Sequence, residues 1–74
     1  MKISRQEQVA KLREEYPEGT RIMLLKMNDP YTQLKKGDMG NVLHVDDAGQ
    51  IHMIWDTGSS LALVPGEDEF MKLE

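Results

Sequence analysis

Two groups of residues have the types and spacing to do chemistry. The first is Asp56-Thr57-Gly58-Ser59-Ser60, the string that aspartic peptidases carry at their catalytic aspartate. That chemistry needs two carboxylates about 3 Å apart sharing one proton, supplied by two lobes or two subunits. Only 16 residues follow Gly58, too few for the apolar-apolar-glycine segment that braces such a loop, so a turn is the better reading. The second group is His44, His52 and Asp46. Two imidazoles and a carboxylate can hold zinc, but exposed histidines on the polar side of a hairpin are far commoner, so these two stand as weak metal candidates.

What positions these residues is a short helix followed by a run of short strands. Ser4 and Glu7 form a capping-box pattern, and Val9, Leu12 and Tyr16 recur at helical spacing before Pro17 and Gly19 stop the helix. The spacing predicts a helix over 4–15, with 1–16 forming the N-terminal helical region and 17–74 a β domain. Residues 21–27 read as a strand ended by the turn Asn28-Asp29-Pro30, and Gly37 and Gly40 bracket another tight turn. Strands are expected at 41–46, 50–55 and 59–64, with a last short one from Phe70 to Leu73. Short strands with frequent turns predict a small barrel or sandwich in a single domain.

A face test sets the hairpin registers, because a slip of one residue moves every side chain to the other side. Opposing Asp46 with Gln50 pairs Val45 with Ile51, Leu43 with Met53 and Asn41 with Trp55 on an apolar face. The outer face then carries Asp46, His44, Gln50 and His52, with His44 opposite His52 at a Cβ separation of about 5 Å, and with an outer apolar pair of Val42 and Ile54 further on. Opposing Trp55 with Ser59 places Met53 against Leu61 and Ile51 against Leu63. Both turns become three-residue loops with Gly49 and Gly58 at the left-handed position, which accounts for the Asp-Thr-Gly string by hairpin chemistry.

Composition narrows the field further. A chain of 74 residues buries only about 60% of its unfolded surface, leaving little room for an elaborate cleft. The absence of cysteine excludes disulfides and thiolate metal sites. No window is apolar enough to span a membrane, and MKISRQEQ lacks a signal-peptide core, so a cytoplasmic protein is expected. A net charge of −4, from 13 acidic and 9 basic residues, argues against nucleic acid as a partner. Trp55 falls on the core face, whereas Tyr31, in a loop, divides between rim packing and partner contact. Of six methionines, Met23, Met27 and Met53 read as core filling and Met1, Met39 and Met71 as incidental. Gly37-Asp38-Met39-Gly40 is too short for a phosphate loop and opens a strand.

The residues also carry a longer pattern: Tyr16-Pro17-x-Gly19-Thr20-Arg21-Ile22, Met27-x-Asp29-Pro30-Tyr31, Gly37-x-x-Gly40-x-Val42, Val45-Asp46-Asp47-Ala48-Gly49-x-Ile51-His52, Trp55-Asp56-x-Gly58-Ser59, and Leu61-Ala62-Leu63-Val64-Pro65-Gly66-x-Asp68-x-Phe70. This resembles a family of small bacterial and phage domains of unknown function found in prophages and mobile elements of Gram-positive bacteria. The likeness spans residues 16–73, with the helix outside it and Thr57 where the family more often has Asn. It implies an SH3-like barrel of about five strands and offers no catalytic residues to carry over; no cofactor or metal is expected. Partners of such barrels dock between the loop after the first strand and the later hairpin loops, here Asn28 to Lys36 against Asp46-Asp47 and Asp56. The candidate partner-binding residues are therefore Asp29, Tyr31, Lys35, Asp46, Asp47 and Asp56. The expected function is protein interaction on behalf of a phage or mobile element, in one version by blocking a nucleic-acid-binding site on a host defence protein. A nucleic-acid-associated module of the KOW type, carried by Lys26, Lys35 and Lys36, is the alternative, and a His-based metal domain comes third. The helix either covers an open side of the barrel or supplies a homodimer contact.

Overall fold

The computed structural model describes residues 4–27 and 33–73. Among these residues the chain forms one helix, α1 (Arg5–Glu15), and four strands, β1 (Arg21–Lys26), β2 (Met39–Val45), β3 (Ile51–Trp55) and β4 (Glu69–Leu73). The expected turn at Asn28-Asp29-Pro30 lies outside the described residues.

Helix α1 starts where its cap predicts. Ser4 is extended, and its Oγ accepts from the Glu7 N–H at 3.1 Å. At the other end the Tyr16 N–H donates to the Leu12 carbonyl, and the Thr20 hydroxyl and N–H both donate to the Pro17 carbonyl. The apolar stripe faces inward, with Val9 buried and Leu12 and Tyr16 packed against the core.

The strands form an antiparallel sheet in the order β3-β2-β1-β4. Alternation sends Ile22, Leu24, Val42, Val45, Ile51, Met53 and Trp55 to the inner face, where Val9, Leu34 and Leu63 complete the core. Full burial of one such side chain stabilises by about 1.5–3 kcal/mol, so this cluster is the main source of stability. Both three-residue loops form as expected, with Gly49 at φ 85° and Gly58 at φ 95°.

The register departs from expectation partway along the first hairpin. Val45 pairs with Ile51 and His44 with His52, but the ladder then shifts, so that Val42 faces Met53, Asn41 faces Ile54 and Gly40 faces Trp55. Leu43 is the extra residue of a β-bulge. The cause is Trp55. A Cβ at Gly40 would lie 2.8 Å from the Ile54 carbonyl oxygen and from the Trp55 Cα. Only glycine fits opposite the indole, so Gly40 is a strand residue and not the edge of a turn. The expected register would have set Asn41 against Trp55 in the core; the bulge turns it outward, where its Oδ1 accepts from Arg21 Nη1 at 3.2 Å. Val42 and Ile54 are therefore no outer pair for the helix to cover. Val42 is in the core and Ile54 remains 55% exposed.

A second departure is the expected strand at 59–64. Beyond the Trp55 N–H to Ser59 carbonyl bond of 3.0 Å that closes the turn, it meets β3 only as a bridge, with Ile51 and Leu63 exchanging hydrogen bonds of 2.9 and 2.8 Å. The ladder with Met53 fails because side chains occupy the backbone of Leu61. Its N–H donates to Ser59 Oγ at 3.2 Å, and its carbonyl accepts from Trp55 Nε1 at 2.8 Å. The result is an open four-stranded sheet instead of five strands.

The helix is fastened along its middle and its C-terminal end. Arg13 donates from Nε to the Val45 carbonyl and from Nη2 to Asp47 Oδ1, and Gly49 lies against Val9 and Leu12. Lys72 Nζ donates to the Glu15 carbonyl, where a cation complements the helix dipole, and sits 5.5 Å from the Tyr16 ring centre. Tyr16 meets Phe70 edge-on at 5.7 Å.

Candidate functional site

The outer face of the sheet carries side chains that the core does not use. One cross-strand row runs Ile54, Asn41, Arg21 and Leu73 through β3, β2, β1 and β4. The next runs Met39, Met23 and Met71 through β2, β1 and β4. At the opposite end of β2 and β3 stand His44 and His52, with the bulged Leu43 beside them. Leu43 is 41% and Met71 46% exposed, which with Ile54 gives three large apolar side chains in water. The incidental reading of Met39 and Met71 does not account for their alignment with Met23.

The two histidines meet as the spacing predicts. Their rings stack at 4.4 Å between centres and 11° from parallel. His52 Nε2 lies 2.8 Å from Asp46 Oδ2, while Asp46 Oδ1 accepts from the N–H groups of Ala48 and Gln50, each at 2.9 Å. An ionised carboxylate only accepts, so the proton of the His52 contact sits on Nε2. The His52 bond and then the Gln50 N–H hold the Asp46 carboxyl below its usual range. Stacked rings keep their nitrogen lone pairs in parallel planes, which do not converge on a cation at about 2.0 Å. Among the described residues no trio of His, Cys, Asp or Glu is placed to hold a metal ion.

Asp56 is also committed. Arg21 donates to it through both terminal nitrogens, Nη1 reaching Oδ1 at 2.8 Å and Nη2 reaching Oδ2. This two-point contact lowers the Asp56 pKa and raises that of Arg21. The carboxylate of the Asp-Thr-Gly string thus faces a guanidinium, the opposite of the proton-sharing arrangement that peptidase chemistry requires.

Among the described residues, the remaining candidates do not converge. Asp47 pairs with Arg13 at 2.8 Å. Asp46 and Asp47 lie at the turn before β3 and Asp56 at the turn after it, about 20 Å away at 3.3–3.4 Å per strand residue. Lys35 is exposed on the loop before β2, at the Asp56 end, where its N–H donates to Asp38 Oδ2 at 2.8 Å. Asp29 and Tyr31 lie outside the described residues. The sequence places Ile54 on the outer face, where it stands 55% exposed, but misses the exposure of Leu43 and Met71. The signal for Leu43 was the pairing of Gly40 with Trp55, which forces the bulge.

No curated protein and no solved structure matches the chain. A family match covers residues 5–73 and so takes in the helix, which the sequence resemblance had left outside. With nearly the whole chain covered, the protein belongs to the family described as domain of unknown function (DUF4314).

Proposed function

We propose that the chain is a non-catalytic SH3-like barrel that docks a protein partner on the outer surface of β2 and β3. The barrel reading is supported by the path of residues 59–68. They lie beside β3 at one edge of the sheet, turn at Pro65 to Asp68, and enter β4 at the other edge. On this reading the segment takes the place of a fifth strand.

The observation that carries the docking reading is the bulge at Leu43. It sends Val42 inward and leaves Leu43 and Ile54 in water on neighbouring strands, with polar Asn41 and His44 beside them. A bulge re-aims side chains, and exposed apolar residues rimmed by polar ones mark contact surfaces. The Asp46, Asp47 and Asp56 carboxylates already have internal partners, so apolar contact, more than charge, is the attraction. A phage or mobile-element product that blocks a host protein would act through such a surface.

The test is capture of host proteins on tagged wild type and on Leu43→Glu/Ile54→Glu, with and without nuclease. A protein retained after nuclease, lost by the variant, and captured while both proteins melt alike is the expected result. Recovery of nuclease-sensitive nucleic acid alone overturns the reading in favour of the Lys26, Lys35 and Lys36 surface.

A further inference from the structure

The methionine row is a different feature and stands independently of the docking surface. Met23 is paired directly with Met39 on one side and with Met71 on the other. Paired positions share a face, with Cβ atoms about 4.5–5.5 Å apart. Met39 and Met71 thus flank Met23 across two strand spacings of about 4.8 Å. Each sulfur sits two rotatable bonds beyond its Cβ, so the outer two can lean over β1 to meet the third.

Methionine has little reason to be here as a packing residue. These positions face away from the core; Met23 and Met39 are half-buried and Met71 is exposed. Strands favour branched and aromatic residues, and an outer face favours polar ones. What three aligned thioethers share is chemistry: they are soft, neutral donors, the class that selects Cu(I) over harder cations. Arg21, next along β1 on the same face, would repel a cation, but Asp56 offsets its charge through two hydrogen bonds.

We propose that Met23, Met39 and Met71 form a binding site for one soft monovalent cation, Cu(I) in nature and Ag(I) as its stable probe. The row sits over β1, so the ion would tie β2 and β4 across it. Thioethers carry no proton to displace, so binding is indifferent to pH where a histidine site is not.

The experiment titrates the full chain with Ag(I), read by native mass spectrometry and calorimetry at pH 5.5 and 7.5. Wild type, Met23→Leu, Met27→Leu and His44→Ala/His52→Ala are compared. Leucine conserves volume, so the variants are expected to stay folded, which a melting curve checks. The expected result is one ion, equal binding at both pH values, no effect of Met27→Leu or the histidine variant, and weakening by about tenfold or more in Met23→Leu, since loss of even an outer-shell partner of a metal site has that effect. Absence of binding, a folded Met23→Leu that binds like wild type, or binding lost with the histidines or at low pH would each overturn the site.

Discussion

The substitution Gly40→Ala tests the packing on which the register rests. The new Cβ would stand 2.8 Å from the Ile54 carbonyl oxygen, 2.8 Å from the Trp55 Cα and 3.0 Å from Trp55 Cε3. Two of these atoms belong to the backbone of β3 and cannot rotate away. Relief requires β2 and β3 to part or the buried indole to move, and overpacking of this kind costs about 1–3 kcal/mol. Alanine offsets part of that by about 0.4–1 kcal/mol through reduced freedom of the unfolded chain. The net expectation is a loss of about 1–2 kcal/mol, or roughly 4–16 °C in Tm at 4–8 °C per kcal/mol for a domain of this size. Urea unfolding followed by fluorescence of Trp55, the single tryptophan, reads both the midpoint and the environment of the ring. A Gly40→Ala protein as stable as wild type, with unchanged emission, would refute the claim that Trp55 dictates the register.

Three further outcomes are expected. Val42→Ala, in the core, should lower stability by about 1–3 kcal/mol by chemical unfolding, whereas Leu43→Ala should stay within about 0.5 kcal/mol; the reverse order would place the bulge elsewhere. Trp55→Phe removes the donor to the Leu61 carbonyl, with an expected cost of about 1–2 kcal/mol and faster hydrogen exchange at the Ile51 and Leu63 amides; unchanged exchange there would show that the indole does not hold residues 59–64 in place. Asp46 and Asp56 have folded pKa values below the ordinary 3.8, so their contribution is fully present above that pH and fades as pH falls through the folded values. The urea midpoint of wild type should therefore fall more steeply below pH 4 than that of Asp46→Asn/Asp56→Asn, and parallel curves would contradict the assignment.

The parts of the fold that were legible in the sequence are those specified locally. The Ser4 cap, the Val9–Leu12–Tyr16 stripe and the stop at Pro17 lie within one helix and its flanks. The loops at Gly49 and Gly58 are set by positive φ, which the glycine itself announces. Register could be followed outward from the Gly49 turn only as far as His44 and His52, because the next pair depends on which residue can stand beside an indole. The internal partners of Asp47 and Asp56 were hidden for a similar reason: Arg13 and Arg21 lie 34 and 35 residues away and come from other elements. The methionine row needed the β1–β4 pairing, which joins distant parts of the chain and offers no turn from which to count.

Both departures from simple alternation trace to one side chain. Trp55 is too large to face anything but Gly40, so β2 gains a bulge and presents Leu43 to water. Its indole N–H then takes the Leu61 carbonyl, so residues 59–64 cannot zip onto β3 and are held at a single bridge. The same residue thus sets the exposed apolar surface on one side and loosens the sheet edge on the other. It follows that a substitution at Gly40 or Trp55 should weaken partner capture without touching a contact residue. Loss of capture in such a variant is interpretable only beside Leu43→Glu/Ile54→Glu, which changes the surface and leaves the indole and its glycine in place.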